Sequence, residues 1–162
     1  MAERSRVAVL ISGRGSNMAA LIYAARADDC VYEVALVTGD KSDAHGLEVA
    51  RAEGIAVVPL DARSLGPAFW GKLQHALESA GIDLIALAGF MRIIPDDFLA
   101  RWAGRIVNIH PSLLPKHKGL KTHQACLAAG DKCSGATVHL VTPDLDSGEI
   151  LGQVEVAVLS ND

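Results

Sequence analysis

Arg6-Val7-Ala8-Val9-Leu10-Ile11-Ser12-Gly13-Arg14-Gly15-Ser16-Asn17 is the stretch on which the fold turns. Its first six residues form an almost unbroken apolar run, the pattern of a strand buried on both faces. Two glycines then punctuate a short polar loop. From Ser16 onward, Met18, Leu21, Ile22 and Ala25 fall on one apolar stripe, which predicts a helix over 16–27. A buried strand that passes through a Gly-x-Gly loop into a helix is the opening unit of a parallel α/β sheet.

The same alternation continues outward from that unit. Strands are predicted over 33–38, 55–59, 83–87 and 105–109, and helices over 42–53, 68–80 and 95–102. Ser42 is the expected cap of the second helix, Gly54 and Gly81 are helix stops, and 61–67 reads as a loop. After residue 110 the rhythm breaks. A loop rich in Pro and Lys spans 110–119, a helix over 122–129 stops at Gly130, and strands over 136–141 and 150–158 flank a loop rich in Pro, Asp and Gly. The fold class is α/β, a Rossmann-like, doubly wound, mostly parallel sheet of about seven strands with helices on both faces. Such sheets bind ligands outside the C-terminal strand ends, which selects the loops 12–17, 89–92, 108–119 and 142–149.

Composition narrows the class further. The 162 residues are 50% apolar and 21% charged, enough for one globular domain over 1–162 with a sizeable core. The net charge is −4, from 15 Lys plus Arg against 19 Asp plus Glu, and a protein that grips nucleic-acid phosphates is usually more basic. No run approaches the roughly 18 apolar residues of a membrane span, and the opening lacks the pattern of a signal peptide. Cys30, Cys126 and Cys133 are odd in number and contain no CxxC, so free thiols, a reducing compartment and a cytoplasmic location are expected.

In the first loop, Gly13 and Gly15 let backbone N–H groups approach a ligand. The helix N-terminus adds partial positive charge, and Arg14, Ser16 and Asn17 add donors, so the loop suits a phosphate. Alone, it also reads as a tight turn. Met18 stands where the dinucleotide fingerprint needs a third small residue, and no Gly-Lys-Ser/Thr follows, so a single phosphate such as that of a sugar phosphate fits better.

Asn108-Ile109-His110-Pro111-Ser112-Leu113-Leu114-Pro115 is the richest segment. Asn108 and His110 are two apart at a strand end and project to one side. An imidazole exchanges protons near neutral pH, and an Asn amide can donate to an oxyanion. Asp144 and Asp146 are the candidate carboxylates to orient the histidine and favour its charged form. Each residue alone reads as packing or turn chemistry; their convergence at strand ends beside a phosphate loop favours catalysis. His110, His117, His123 and His139 match no metal-binding spacing, so no metal is expected, and His139 reads as a core-edge residue. No Gly-x-Ser-x-Gly is present. Gly89-Phe90-Met91-Arg92-Ile93-Ile94 offers apolar side chains and one cation, suited to a flat charged ring system or to a cap over the core.

VLISGRGSN, LAGFMRIIP, NIHPSLLPKHKGLKTH and GATVHLVTPDLDSGEIL, in this order, closely resemble the folate-dependent formyltransferase family, and within it the glycinamide ribonucleotide branch. The resemblance implies formyl transfer from 10-formyltetrahydrofolate, as co-substrate, to the amine of the glycinamide ribonucleotide in purine biosynthesis. Gly15, Ser16 and Asn17 would hold the ribose phosphate, with Gly13 and Arg14 beside them. Met91, Arg92, Ile93 and Ile94, with Asn108, would line the folate pocket. Asn108, His110 and Asp146 would be the catalytic trio, with no metal and no covalent intermediate. Hydrolysis of the same folate to formate is the alternative. Small-molecule partners are expected, no nucleic acid or membrane, and a homodimer is compatible with the family. Two departures stand out. Where the family carries an Arg near its third helix, this chain has Gly66 by register, with Arg63 close by. The family also continues past the last strand into helical structure, which is expected to be absent here because a turn begins at Ser160 and the chain stops at Asp162.

Overall fold

The structure is a computed structural model and describes residues 3–159 and 162; the turn expected from Ser160 lies outside the described residues. The chain forms two compact units, Met1–Phe98 and Leu99–Asp162.

In the first unit, β1 (Ser5–Ile11), β2 (Tyr32–Gly39), β3 (Val57–Val58) and β4 (Leu84–Leu87) pair in the order β3-β2-β1-β4, every neighbour parallel. With a strand on each side, β1 buries Val7, Ala8, Val9, Leu10 and Ile11, as its unbroken apolar run requires. Fully burying each of the larger side chains contributes about 1.5–3 kcal/mol. Helix α1 (Ser16–Ala24) turns Met18 and Ile22 inward and stops short of the expected Ala27. Past Ala25 the chain tightens into three-residue turns, Arg26 N–H donating to the Tyr23 carbonyl and Ala27 N–H to the Ala24 carbonyl, both at 3.2 Å. The Arg4 guanidinium donates to the carbonyls of Ala25, Ala27 and Asp28, acceptors that the helix end leaves without partners in the helix.

Helix α2 is His45–Ala52, and Ser42 does not cap it. The helix begins later because the N–H of Gly46, in its first turn, donates to the Gly13 carbonyl at 3.0 Å, which ties the helix start to the Gly-rich loop. The expected 61–67 loop instead contains α3 (Ala62–Leu65) and a 3-10 turn, Gly66–Ala68. Asp61 caps α3, its side chain accepting from Ser64 N–H at 2.8 Å. That hydrogen bond holds the Asp61 carboxyl below its ordinary range. Helix α4 (Phe69–Ser79) buries Phe69, Leu73 and Leu77, one residue per turn. Helix α5 (Asp96–Arg101) carries the chain into the second unit.

In the second unit, β5 (Ile106–His110), β6 (Cys133–Leu140) and β7 (Ile150–Ala157) form an antiparallel ladder in the order β5-β6-β7. Strand β5 runs one residue further than expected and takes His110 into register with Thr137, while Asn108 faces His139. Strand β6 begins at Cys133, earlier than the expected 136, because Cys133 already pairs with Ala157. Helix α6 (Thr122–Ala128) precedes β6. The buried Thr137 hydroxyl accepts from Leu114 N–H at 3.1 Å and donates to the Ser112 carbonyl at 2.7 Å, so the loop after His110 is pinned by β6 as well as stiffened by its prolines.

Candidate active site

At the C-terminal end of β1, the loop 12–17 lines a cleft of about 270 Å³ together with Lys41, Ala88, Gly89 and Met91. Gly15, with φ 76, is the N-cap of α1, and no side chain caps that helix. Its first N–H groups therefore keep their capacity for an anion. A Cβ on Gly15 would stand 3.0 Å from Gly46 Cα and 3.0 Å from Met18 Cε. The two glycines thus allow loop and α2 to touch backbone to backbone, over a fully buried Met18. Gly13, Arg14, Ser16 and Asn17 are exposed along the cleft. The Ser12 hydroxyl is already engaged, accepting from Met91 N–H at 2.9 Å. Lys41, an exposed cation of the same cleft, was not anticipated; its position just after β2, beside β1 in a parallel sheet, is the signal that marks it.

In the second unit, the structure brings Asn108, His110 and Asp146 together and adds His139. His110 Nδ1 stands 3.5 Å from Asp146 Oδ1, with side chains only 6% and 7% exposed. His110 Nε2 donates to the backbone carbonyl of His117 at 2.9 Å. Asp146 Oδ2 accepts from Gly119 N–H at 2.8 Å, which leaves Oδ1 to the histidines. His139, expected as a plain core-edge residue, is buried but belongs to the cluster: its Nε2 is 3.2 Å from Asn108 Nδ2 and 3.8 Å from Asp146 Oδ1. Its Nδ1 lies 2.9 Å from the Leu140 carbonyl, which can only accept. The proton therefore sits on Nδ1, and in the neutral ring Nε2 accepts one hydrogen of the Asn108 amide, leaving the other free. Asp144 is exposed on the same loop, and of the two candidate carboxylates Asp146 is the one that reaches His110.

The loop that delivers Asp146 is set by its backbone. Asp146 has φ 49, a conformation Asp tolerates better than most residues. A Cβ on Gly148 would lie 1.7 Å from the Leu140 carbonyl oxygen, so only glycine fits there. Lys118 Nζ, 2.6 Å from Ser147 Oγ, ties the same loop to the segment after His110.

The apolar stretch of the first unit divides in two. Met91 and Ile93 are 69% and 92% exposed, whereas Ile94 is buried in the core. The Arg92 guanidinium lies 5.4 Å over the Phe69 ring, a cation–π contact. Gly66 has φ 51 and open space around it, and Arg63 is exposed on α3.

The pattern of the formyl transferase family matches residues 5–162. The chain belongs to the formyl transferase family. Phosphoribosylglycinamide formyltransferase of Escherichia coli (strain K12) is 44% identical, over 96% of this chain and 74% of that protein. The trifunctional purine biosynthetic protein adenosine-3 of Drosophila melanogaster is also 44% identical, over 99% of this chain but only 12% of its own length. Among solved structures, phosphoribosylglycinamide formyltransferase from Brucella melitensis superposes with a TM-score of 0.94 at 47% identity, over 99% of this chain and 83% of that one. Glycinamide ribonucleotide transformylase 1 from Symbiobacterium toebii gives a TM-score of 0.94 at 40% identity, over 100% of this chain and 77% of that one. The α/β class read from the strand–loop–helix alternation is thus the class of this formyltransferase fold. Among the described residues, no helix is long and apolar enough to cross a membrane.

Proposed function

We propose that this formyl transferase moves the formyl group of 10-formyltetrahydrofolate to the amine of N1-(5-phospho-D-ribosyl)glycinamide, a step of purine biosynthesis. The observation that carries the chemistry is the buried His110–Asp146 pair, 3.5 Å apart, in one cluster with Asn108. The two compact units act as one formyltransferase domain, because a single family pattern runs through both.

The roles follow from donor chemistry. Gly13, Arg14, Gly15, Ser16 and Asn17 hold the ribotide phosphate through backbone N–H groups and side-chain donors, with Lys41 as a further cation. Met91 and Ile93 present apolar surface to the folate ring and Arg92 a positive charge, with Ile94 backing them from the core. The substrate amine attacks the formyl carbon, and negative charge develops on the formyl oxygen. The free Asn108 amide hydrogen and the His110 imidazolium stabilise that oxygen, and Asp146 orients the ring and offsets its charge. To reach the substrate, His110 Nε2 exchanges its bond to the His117 carbonyl for one to the formyl oxygen. As the carbon–nitrogen bond to the folate breaks, the attacking amine gives up a proton and the folate nitrogen takes one up, through His110 or water. The reaction as proposed uses no metal and no covalent enzyme intermediate.

The test is a formyl-transfer assay with and without the glycinamide ribotide. Formylated ribotide, formed only when the ribotide is present, is the expected product. Formate released at the same rate without ribotide would assign the chain to the hydrolytic alternative instead.

A further inference from the structure

We propose that His117, Cys126 and Asp131 form a binding site for one thiophilic divalent cation of the zinc(II) type, separate from the groups that act on substrate and independent of the formyl-transfer reading. The three residues come from three segments. His117 lies in the loop after Pro115, with a left-handed φ of 54. Cys126 is on α6 and 2% exposed. Asp131 follows Gly130 ahead of β6.

Their ligand atoms, an imidazole nitrogen, a sulfur and a carboxylate oxygen, all lie within 4.8 Å of one another. This is a donor set that zinc(II) takes in tetrahedral sites. Metal–ligand bonds of about 2.0–2.3 Å place tetrahedral ligand atoms about 3.3–3.8 Å apart, so the cluster closes on a metal by small side-chain movements. At present a proton holds two of the three together, His117 Nε2 being 2.7 Å from Asp131 Oδ2. The other Asp131 oxygen is held by Lys116 Nζ at 2.9 Å, which leaves Oδ2 as a single, aimed donor atom. The Cys126 thiol makes only a long contact of 3.7 Å to the Cys133 carbonyl, so little is lost when the sulfur turns to a metal. On binding, the thiol proton goes to solvent, and His117 ligates through Nε2 with its remaining ring proton on Nδ1. The fourth position is open to water. An ordinary surface His–Asp pair explains the 2.7 Å contact but not a buried thiol converging on it from a different element.

The site sits one peptide group from the chemistry. The His117 carbonyl accepts from His110 Nε2 at 2.9 Å and from Ser112 Oγ at 3.2 Å. A cation that fixes the His117 side chain therefore also fixes the carbonyl that holds His110.

Cobalt(II) titration of the metal-free full chain, followed by displacement with zinc(II), tests the proposal. The expected result is one cobalt(II) per chain with a thiolate-to-cobalt charge-transfer band, abolished in Cys126→Ser and unchanged in Cys30→Ser. His117→Phe and Asp131→Asn, with folding checked by far-ultraviolet circular dichroism, should each weaken binding by about tenfold or more. No thiolate band in the wild type would overturn the site, as would a band that survives Cys126→Ser but is lost in Cys133→Ser. Should Cys126→Ser not fold, unchanged cobalt(II) affinity in both folded His117→Phe and Asp131→Asn overturns it equally.

Discussion

The glycine loop of the first unit and the histidine cluster of the second are built from opposite materials. The loop is backbone: N–H groups at an uncapped helix start, Gly15 lying directly against Gly46, and side chains that stand exposed along a cleft. The cluster is side chain: His110, His139, Asn108 and Asp146 are each positioned by another group of the cluster or by a main-chain atom. A site made of backbone tolerates changes of side chain but not an added Cβ where the chain packs closely. A site made of interlocked side chains loses function when any one member goes. Binding of a phosphate asks only for the first kind; stabilising a transient charge asks for the second.

The sharpest way to test that contrast is to remove His110 or Asp146. His110→Ala and Asp146→Ala should lower kcat by about 10²–10⁴-fold while circular dichroism stays native. Wild-type turnover in both would break the assignment of the cluster. Asp146→Asn, similar in shape but uncharged, should lose nearly as much.

Next in size is Gly148→Ala. Its Cβ would overlap the Leu140 carbonyl, so the loop bearing Asp146 must shift. Stability should fall by roughly 1–3 kcal/mol in denaturant melts, with kcat falling alongside. His139→Ala should cost on the order of tenfold in kcat, because Asn108 keeps its amide but loses the group that aims it. An unchanged ribotide KM in that variant would show that the loss is confined to chemistry.

The loop side responds differently. Gly15→Ala forces a Cβ against Gly46 and Met18 at a positive φ, and should raise ribotide KM by several-fold with kcat at saturation nearly kept. Gly13→Ala, whose Cβ meets nothing within 4 Å, should be almost silent. Equal effects from the two would mean that the loop is not held by close backbone packing.

A small effect, on stability alone, is expected at Asp61. Its carboxyl is held below the ordinary range by the Ser64 N–H, so its contribution to stability is present above the unfolded-state pKa and disappears as pH falls through the lower, folded-state value. The Tm gap between wild type and Asp61→Ala should therefore close on acidification.

Much of this was readable in the chain. The apolar run before Ser12 has to be a central strand, and the pairing of Asn108 with His110 two residues apart survives as a shared face on β5. What was not readable depends on partners distant in sequence. Ser42 looks like a cap, but the helix start is decided by Gly46 meeting Gly13. Residues 61–67 look like a loop because a single capped turn leaves too short an apolar period to detect. His139 sits in an apolar strand, and only the antiparallel register opposite Asn108 shows it as more than core. Between Asp144 and Asp146 residue chemistry alone leaves the choice open and the family resemblance selects Asp146; the left-handed φ and the Gly119 N–H that hold it in place are not visible locally.

The bond from His110 Nε2 to the His117 carbonyl acts as a threshold in the proposed reaction. An amide oxygen already satisfies the ring, so a neutral formyl oxygen of similar basicity gains almost nothing by displacing it. An oxygen that has acquired negative charge is a much stronger acceptor and wins the exchange. The histidine is thereby spent little on bound substrate and most on the charged state that follows, so the resting contact itself discriminates between ground state and transition state.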